Sequence, residues 1–85
     1  MNIKFHKKFQ KALQKQPTSI QKKFFECLDI FVVDQFHYTL NNHALSGEFK
    51  GWRSINITGD IRVHFRESGS DIILMDIGSH SKLYK

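Results

Sequence analysis

Three imidazoles and four cations in the C-terminal half of this chain have the types and spacing to do chemistry. They are His43, His64 and His80, and Lys50, Arg53, Arg62 and Arg66. One segment alternates without a break: Ile61, Val63 and Phe65 share one face of a strand, and Arg62, His64 and Arg66 share the other. An exposed strand face ordinarily mixes charge signs, and this one is cationic or imidazole throughout. Cations hold a phosphodiester through charge-assisted hydrogen bonds, and imidazoles move protons near neutral pH. The pattern therefore predicts a phosphate-binding face, joined by Lys50 and Arg53 from the start of the neighbouring strand, with His64 the first candidate catalyst. The plainer reading is a solvated strand whose basic residues blunt the sheet surface.

His43 sits in a long loop, where a lone histidine is ordinarily just exposed. His80 follows Gly78-Ser79 after the last full strand, where a side chain can be aimed back across the sheet. Tyr84, four residues on, suits stacking on a base or bearing on a phosphate; equally it suits anchoring the C-terminus to the core. Asp60 closes the turn Thr58-Gly59-Asp60, a place where Asp commonly bonds its own backbone. His43, His64, His80 and Asp60 could form a zinc set, but the sequence has no Cys pair and no HxH or HxxxH spacing. No P-loop, GxGxxG or nucleophile elbow occurs.

The elements that must position these groups follow from apolar spacing. Ile3 to Phe5 reads as a short strand. Phe5, Phe9 and Leu13 recur every four residues among lysines, an amphipathic helix that Gln16-Pro17 stops. Thr18 and Gln21 fit a capping box, and Ile20, Phe24, Cys27, Leu28, Phe31 and Val32 continue a second helix to about Gln35. Phe36 to Glu48 reads as irregular. Strands follow at Trp52–Ile57, Ile61–Glu67 and Asp71–Ile77, with Leu83-Tyr84 a short terminal strand. The order β-α-α-β-β-β predicts an α+β domain: a small twisted, mainly antiparallel sheet with the helix pair on one face.

Eighty-five residues, 40% hydrophobic with eight Phe, suffice for one domain, 1–85, with a single core. No run approaches the ~20 apolar residues of a membrane span. The N-terminus lacks the apolar stretch of a secretory signal. The lone Cys27 falls in the apolar helical pattern as a small core residue, which suits a reduced cytoplasmic setting. The net charge of +5 favours nucleic acid or an acidic partner. Lys4, Lys7, Lys8, Lys11, Lys15, Lys22 and Lys23 all precede the first acid, Glu26.

Four segments, His43-Ala44-Leu45-Ser46-Gly47, Lys50-Gly51-Trp52-Arg53-Ser54, Gly59-Asp60-Ile61-Arg62-Val63 and Gly78-Ser79-His80-Ser81-Lys82-Leu83-Tyr84, resemble the RelE/ParE superfamily of bacterial type II toxins, above all its YafQ-like branch. They come in the family's order and spacing across residues 42–84. The resemblance implies a RelE-like fold and a ribosome-dependent endoribonuclease that cuts mRNA in the decoding site, beside ribosomal RNA. It implies a cognate antitoxin, and no membrane partner. Carried over, His43, Asp60 and His80 match the YafQ-type catalytic positions, Tyr84 a C-terminal aromatic, and Arg62 the arginine that RelE-type toxins set against the phosphate. YafQ-type enzymes carry an acid at the position of Ser54 and a histidine at that of Asn56.

RNA brings its own 2′-hydroxyl nucleophile, so this chemistry needs no metal and no cofactor. His43 is assigned as general base and His80 as general acid, with Asp60 tuning an imidazole or sharing the base role. Arg62, with Lys50 or Arg53, would stabilise the phosphate. His64 and Arg66 then become walls of the groove. Two rivals remain: a ParE-like toxin acting on gyrase, which needs no acid–base set, and a non-catalytic module that binds RNA or antitoxin.

Overall fold

Apolar faces from two helices and four strands meet in one core, which places the polar and imidazole residues on the opposite face of the sheet. The computed structural model describes residues 1–84. Strand β1 (Asn2–Phe5) leads into helix α1 (Lys7–Gln14) and helix α2 (Thr18–Val33). Strands β2 (His43–Ala44), β3 (Trp52–Asn56), β4 (Ile61–Ser68) and β5 (Asp71–Ser79) follow, and a single helical turn, α3 (His80–Leu83), ends the described chain. The sheet order is β1-β5-β4-β3-β2, with β1 parallel to β5 and every other pair antiparallel. This is the predicted α+β arrangement. No helix is long and apolar enough to cross a membrane among the described residues.

The α1 and α2 stripes supply Phe9, Leu13, Phe24, Cys27 and Phe31; the sheet supplies Ile55, Val63, Phe65, Ile72, Leu74 and Ile77. Aromatic rings pack against one another: Phe9 meets Phe5 edge-on at 5.3 Å and Phe24 at a tilt at 5.2 Å, and Phe31 meets Phe65 edge-on at 5.3 Å and 83°. Burial pushes the Cys27 thiol up, so it stays protonated and apolar in the core. On the edge strand, Lys4 Nζ lies 3.1 Å from the Asp71 carboxylate and Asn2 donates to it at 3.2 Å. The Lys4 bond first, then the Asn2 bond, holds the Asp71 carboxyl below its ordinary range.

Several local expectations are corrected. Thr18 is not a cap: the helix opens behind Pro17 with no side-chain cap, and Gln21 Nε2 donates to the Gln16 carbonyl at 2.9 Å instead. The stretch 36–48 is not wholly irregular. A 3₁₀ turn at Tyr38–Leu40 buries Leu40, and His43–Ala44 adds the edge strand β2. Leu83-Tyr84 is not a strand. Ser79 Oγ accepts from the Lys82 amide at 3.2 Å and starts α3, whose Leu83 is buried. Finally β5 carries a bulge. Its register steps from His64–Asp76 to Phe65–Leu74, so Met75 is the extra residue. The bulge lets Ile72, Leu74 and Ile77 all face the core despite their mixed parity, and it turns Asp76 to the opposite face.

Candidate active site

Cross-strand partners share a face of a sheet, so the register fixes what the outer face carries. His43 on β2 pairs with Ser54 on β3, Ser54 with His64 on β4, and His64 with Asp76 on β5. These four form one polar row across the sheet. Lys8 of α1 closes its far end, with Nζ 3.3 Å from the Asp76 carboxylate. The next row towards α3 holds Asn56, Arg62 and Gly78, and the opposite neighbour row holds Trp52 and Arg66.

His64 lies on the expected face, but that face is not open there. Phe49, Trp52 and Tyr84 cover it, with ring centres 5.2, 6.5 and 5.1 Å from the imidazole, and its exposure is 1%. Burial therefore pushes the His64 imidazole below its ordinary value of 6.5. Asp76 opposes that shift; the nearby His43, His80 and Lys8 add to it. The unfolded chain thus binds the proton more readily than the folded one, and stability falls as pH drops from about 6.5 towards the lowered folded value. Replacing His64 by Leu should flatten that acid limb of a Tm–pH curve. An unchanged acid limb in the variant would show that His64 does not titrate on unfolding.

His43 and His80 lie at the two sides of this covered ring, both exposed. His43 Nδ1 is 2.8 Å from the Asn41 carbonyl. A carbonyl only accepts, so Nδ1 carries the proton and Nε2 of the neutral ring keeps its lone pair. Asn41, which presents that carbonyl, has φ 47°, a left-handed conformation that Asn tolerates better than most residues. On the other side the His80 amide donates to the Asp60 carbonyl at 3.0 Å, so the Asp60 turn and the His80 turn abut. The His80 and Tyr84 rings are 4.6 Å apart. Arg62 Nη1 donates to the Thr58 and Gly59 carbonyls at 3.0 and 2.9 Å, which ties its guanidinium over the same turn.

Arg53 is the exception among the expected cations. Its register partner is Phe65, so it lies on the helix-side face, and its Nε donates to Asn42 Oδ1 at 2.8 Å while the guanidinium sits 5.5 Å from the Phe36 ring. It does not join Arg62, His64 and Arg66. Lys50 is exposed in the turn before β3, and Arg66 is exposed beside Trp52. The four-residue zinc set does not assemble: no three His, Cys, Asp or Glu side chains come close enough to hold a metal among the described residues.

Residues that the sequence reading passed over complete the site. Asp76 is hidden in an apolar strand, and a strict period of two would put it with Ile72 and Leu74 in the core. That conflict, an acid in an apolar register, was the available signal of a bulge. Trp52, read only as part of a motif, and Phe49, not singled out at all, are walls over His64. A groove of about 600 Å³ runs beside the site between α1 and the C-terminal turn, lined by Lys7, Lys8, Lys11, Lys15 and Lys82.

The family model described as a bacterial toxin of type II toxin–antitoxin system, YafQ, matches residues 1–85. No curated protein matches the chain. Among solved structures, YafQ from Escherichia coli strain BL21(DE3) superimposes with a TM-score of 0.79 at 15% identity, covering 99% of this chain and 98% of that one. A chain of an E. coli DinJ–YafQ complex gives 0.73 at 17% identity, covering 99% and 98%. A chain of the RelB–RelE antitoxin–toxin complex from Methanococcus jannaschii gives 0.76 at 20% identity, covering 95% and 94%.

Proposed function

From a chain that belongs to the YafQ family, and is therefore a toxin of a bacterial type II toxin–antitoxin system, we propose a ribosome-dependent endoribonuclease that cleaves mRNA by acid–base catalysis. The observation that carries this reading is the pair His43 and His80, exposed on either side of one covered patch, with the His43 Nε2 lone pair left bare by the Nδ1 bond to Asn41.

In this mechanism His43 Nε2 takes the proton of the RNA 2′-hydroxyl, and the 2′-oxygen forms a bond to the neighbouring phosphorus. The bond from phosphorus to the 5′-oxygen breaks, and protonated His80 gives that oxygen its proton. The products are a 2′,3′-cyclic phosphate and a 5′-hydroxyl. Arg62 uses one nitrogen to grip the Thr58-Gly59 turn, which leaves its Nε and Nη2 donors for the charge that builds on the phosphorane. Asp60 adjoins His80 through the backbone and would position its turn, and Tyr84 packs on the imidazole from the other side. None of these steps requires a metal or a cofactor. End-group analysis of mRNA cut on translating ribosomes tests the scheme. A 2′,3′-cyclic phosphate on the upstream fragment is expected; a 3′-hydroxyl there would exclude 2′-hydroxyl attack.

The lysine groove between α1 and α3 supports a polyanionic partner beside the site. Lys7 and Lys11 stand at i, i+4 spacing on α1, which has no acid in its first turn, and Lys15 is its C-cap; the like-charge pair weakens the helix by itself. Ribosomal RNA is the partner we assign, so replacing any one of these lysines that contacts a phosphate should lower the slope of log affinity against log salt by ~1. An unchanged slope in a Lys7/Lys11/Lys15 triple alanine variant, measured on ribosomes, would remove the groove from the interface. In the cell the toxin would be held by a cognate antitoxin, as the DinJ–YafQ and RelB–RelE complexes hold theirs. Such an antitoxin is expected to place acidic residues over the basic surface. A ribosomal target would put the protein in the bacterial cytoplasm.

A further inference from the structure

Strand β2 is two residues long, and both His43 and Ala44 are exposed, so no core packing of its own holds it in place. Yet His43 depends on that backbone. The Asn41 carbonyl that accepts from Nδ1 at 2.8 Å sits two residues before it, in a left-handed conformation with φ 47°. An unrestrained neutral imidazole in water carries its proton mainly on Nε2, the nitrogen that must stay bare to act as base. The bond made by the other nitrogen sets the tautomer, so the Asn41 carbonyl reverses that preference. Between carbonyl and ring stands Asn42, half-buried, and its side chain makes two bonds. Oδ1 accepts from Arg53 Nε of β3 at 2.8 Å, and Nδ2 donates to the Gln35 carbonyl, just past α2, at 3.1 Å. The Arg53 guanidinium is steadied in turn by the Phe36 ring, 5.5 Å from the ring centre.

We propose that Arg53 and Asn42 are positioning residues for His43: their bonds, running from β3 to the end of α2, hold the Asn41 carbonyl against Nδ1 and so keep Nε2 free to take the 2′-proton. The proposal rests on the nuclease reading above and deepens it. It accounts for an arginine in an unexpected place. Arg53 lies on the helix-side face, with Phe65 as its register partner, apart from the cations of the outer face. A planar fork suits that place. One nitrogen meets a single acceptor while the guanidinium face lies on a ring; a lysine, a point charge on a flexible stem, offers neither. Asn42 is suited likewise. Its amide has an acceptor at one end and donors at the other, so one side chain ties a strand and a helix end to the same point. Besides the short pairing of β2 with β3, the other ties of this segment lie at its ends. They are the Asn41 amide on the Tyr38 carbonyl at 3.3 Å, the Leu45 amide on the Trp52 carbonyl at 2.9 Å, and the buried Leu40.

The test reads the His43 tautomer by long-range proton–nitrogen NMR of the intact, labelled protein at alkaline pH, where the imidazole is neutral, and cleavage on ribosomes beside it. The parent should show His43 protonated on Nδ1. Asn42→Ala and Arg53→Lys should each move the proton towards Nε2. Each should also lower kcat ~10- to 100-fold, the scale of a lost charge-assisted hydrogen bond or a small misplacement of a reacting group, with KM little changed. Asn42→Asp keeps the acceptor for Arg53 and should retain both tautomer and kcat. A parent ring protonated on Nε2 overturns the proposal, as does an unmoved tautomer in both weakening variants. A lowered Tm with tautomer and kcat retained would make the pair a structural tie only and overturns it too. A raised KM with the tautomer unmoved would return Arg53 to the phosphate, and an equal loss in Asn42→Asp would show that the Arg53 bond does not hold the ring; either result sinks the assignment. Should Asn42→Ala fail to fold, Arg53→Lys carries the same readouts. The two readings fail separately. A tautomer that responds in a protein that cuts no RNA keeps the positioning pair and removes the nuclease, and cleavage with an unmoved tautomer does the reverse.

Discussion

Replacing His80 by alanine should reduce mRNA cleavage on ribosomes by about 100- to 10,000-fold, the ordinary size of a general acid or base contribution, and should abolish growth arrest. The same change should leave the fold intact. His80 is exposed, and the bond that fixes its turn, from its amide to the Asp60 carbonyl, is a backbone bond that alanine keeps. What alanine removes is the packing of the imidazole on the Tyr84 ring. A Tm within a few degrees of the parent, together with abolished cleavage, separates chemistry from folding. His43→Ala should show a loss of similar size, and the double variant should lose little more than either single one, since an acid and a base acting in one step are not additive. His64→Ala is the control that distinguishes this reading from the simplest sequence reading. It opens a cavity and shifts Tm, but it removes no proton donor or acceptor from the reaction. Full toxicity in His80→Ala would eliminate the acid assignment.

Much of this arrangement is legible in the sequence because it follows from periodicity. The Ile61–Phe65 alternation correctly puts Arg62, His64 and Arg66 on one face, and β3 obeys the same rule. Arg53, Ile55 and Ile57 take one side of that strand and Trp52, Ser54 and Asn56 the other, so the misplacement of Arg53 came from judging it by nearness to the strand instead of by its parity. What periodicity cannot give is what covers a face. His64 reads as exposed until Phe49 arrives from one loop and Tyr84 from the C-terminal turn, contacts that join residues 15 to 35 positions apart. Asp76 fails for a different reason: one inserted residue, Met75, reverses the parity of everything after it on β5. The capping box failed because Pro17 and Gln16 offered Gln21 a competing partner.

The same strand that carries the site also carries the fold, and Phe65→Ala should therefore be the most damaging single truncation on it. Phe65 is 0% exposed, meets Phe31 of α2 edge to face, and is the residue after His64 where the β5 register shifts. Truncating a fully buried Phe costs about 3–5 kcal/mol. A domain of 85 residues has roughly 4–13 kcal/mol in all, at ~0.05–0.15 per residue, so the variant loses between a quarter and all of it. With ~4–8 °C per kcal/mol at this size, Tm should fall by about 12 °C or more. The effect on the site is indirect but specific. The edge of Phe65 against Phe31 sets how β4 sits on α2, and the row from His43 to Asp76 crosses β4 one residue earlier. Cleavage measured well below the variant's Tm should therefore fall as well, whereas Phe24→Ala, fully buried on α2 against Phe5 and Phe9 on the helix side of the sheet, should lose stability with cleavage retained at low temperature. Equal retention of cleavage in both variants would mean that the site tolerates movement of β4, and that His43 and His80 are held by their own turns alone.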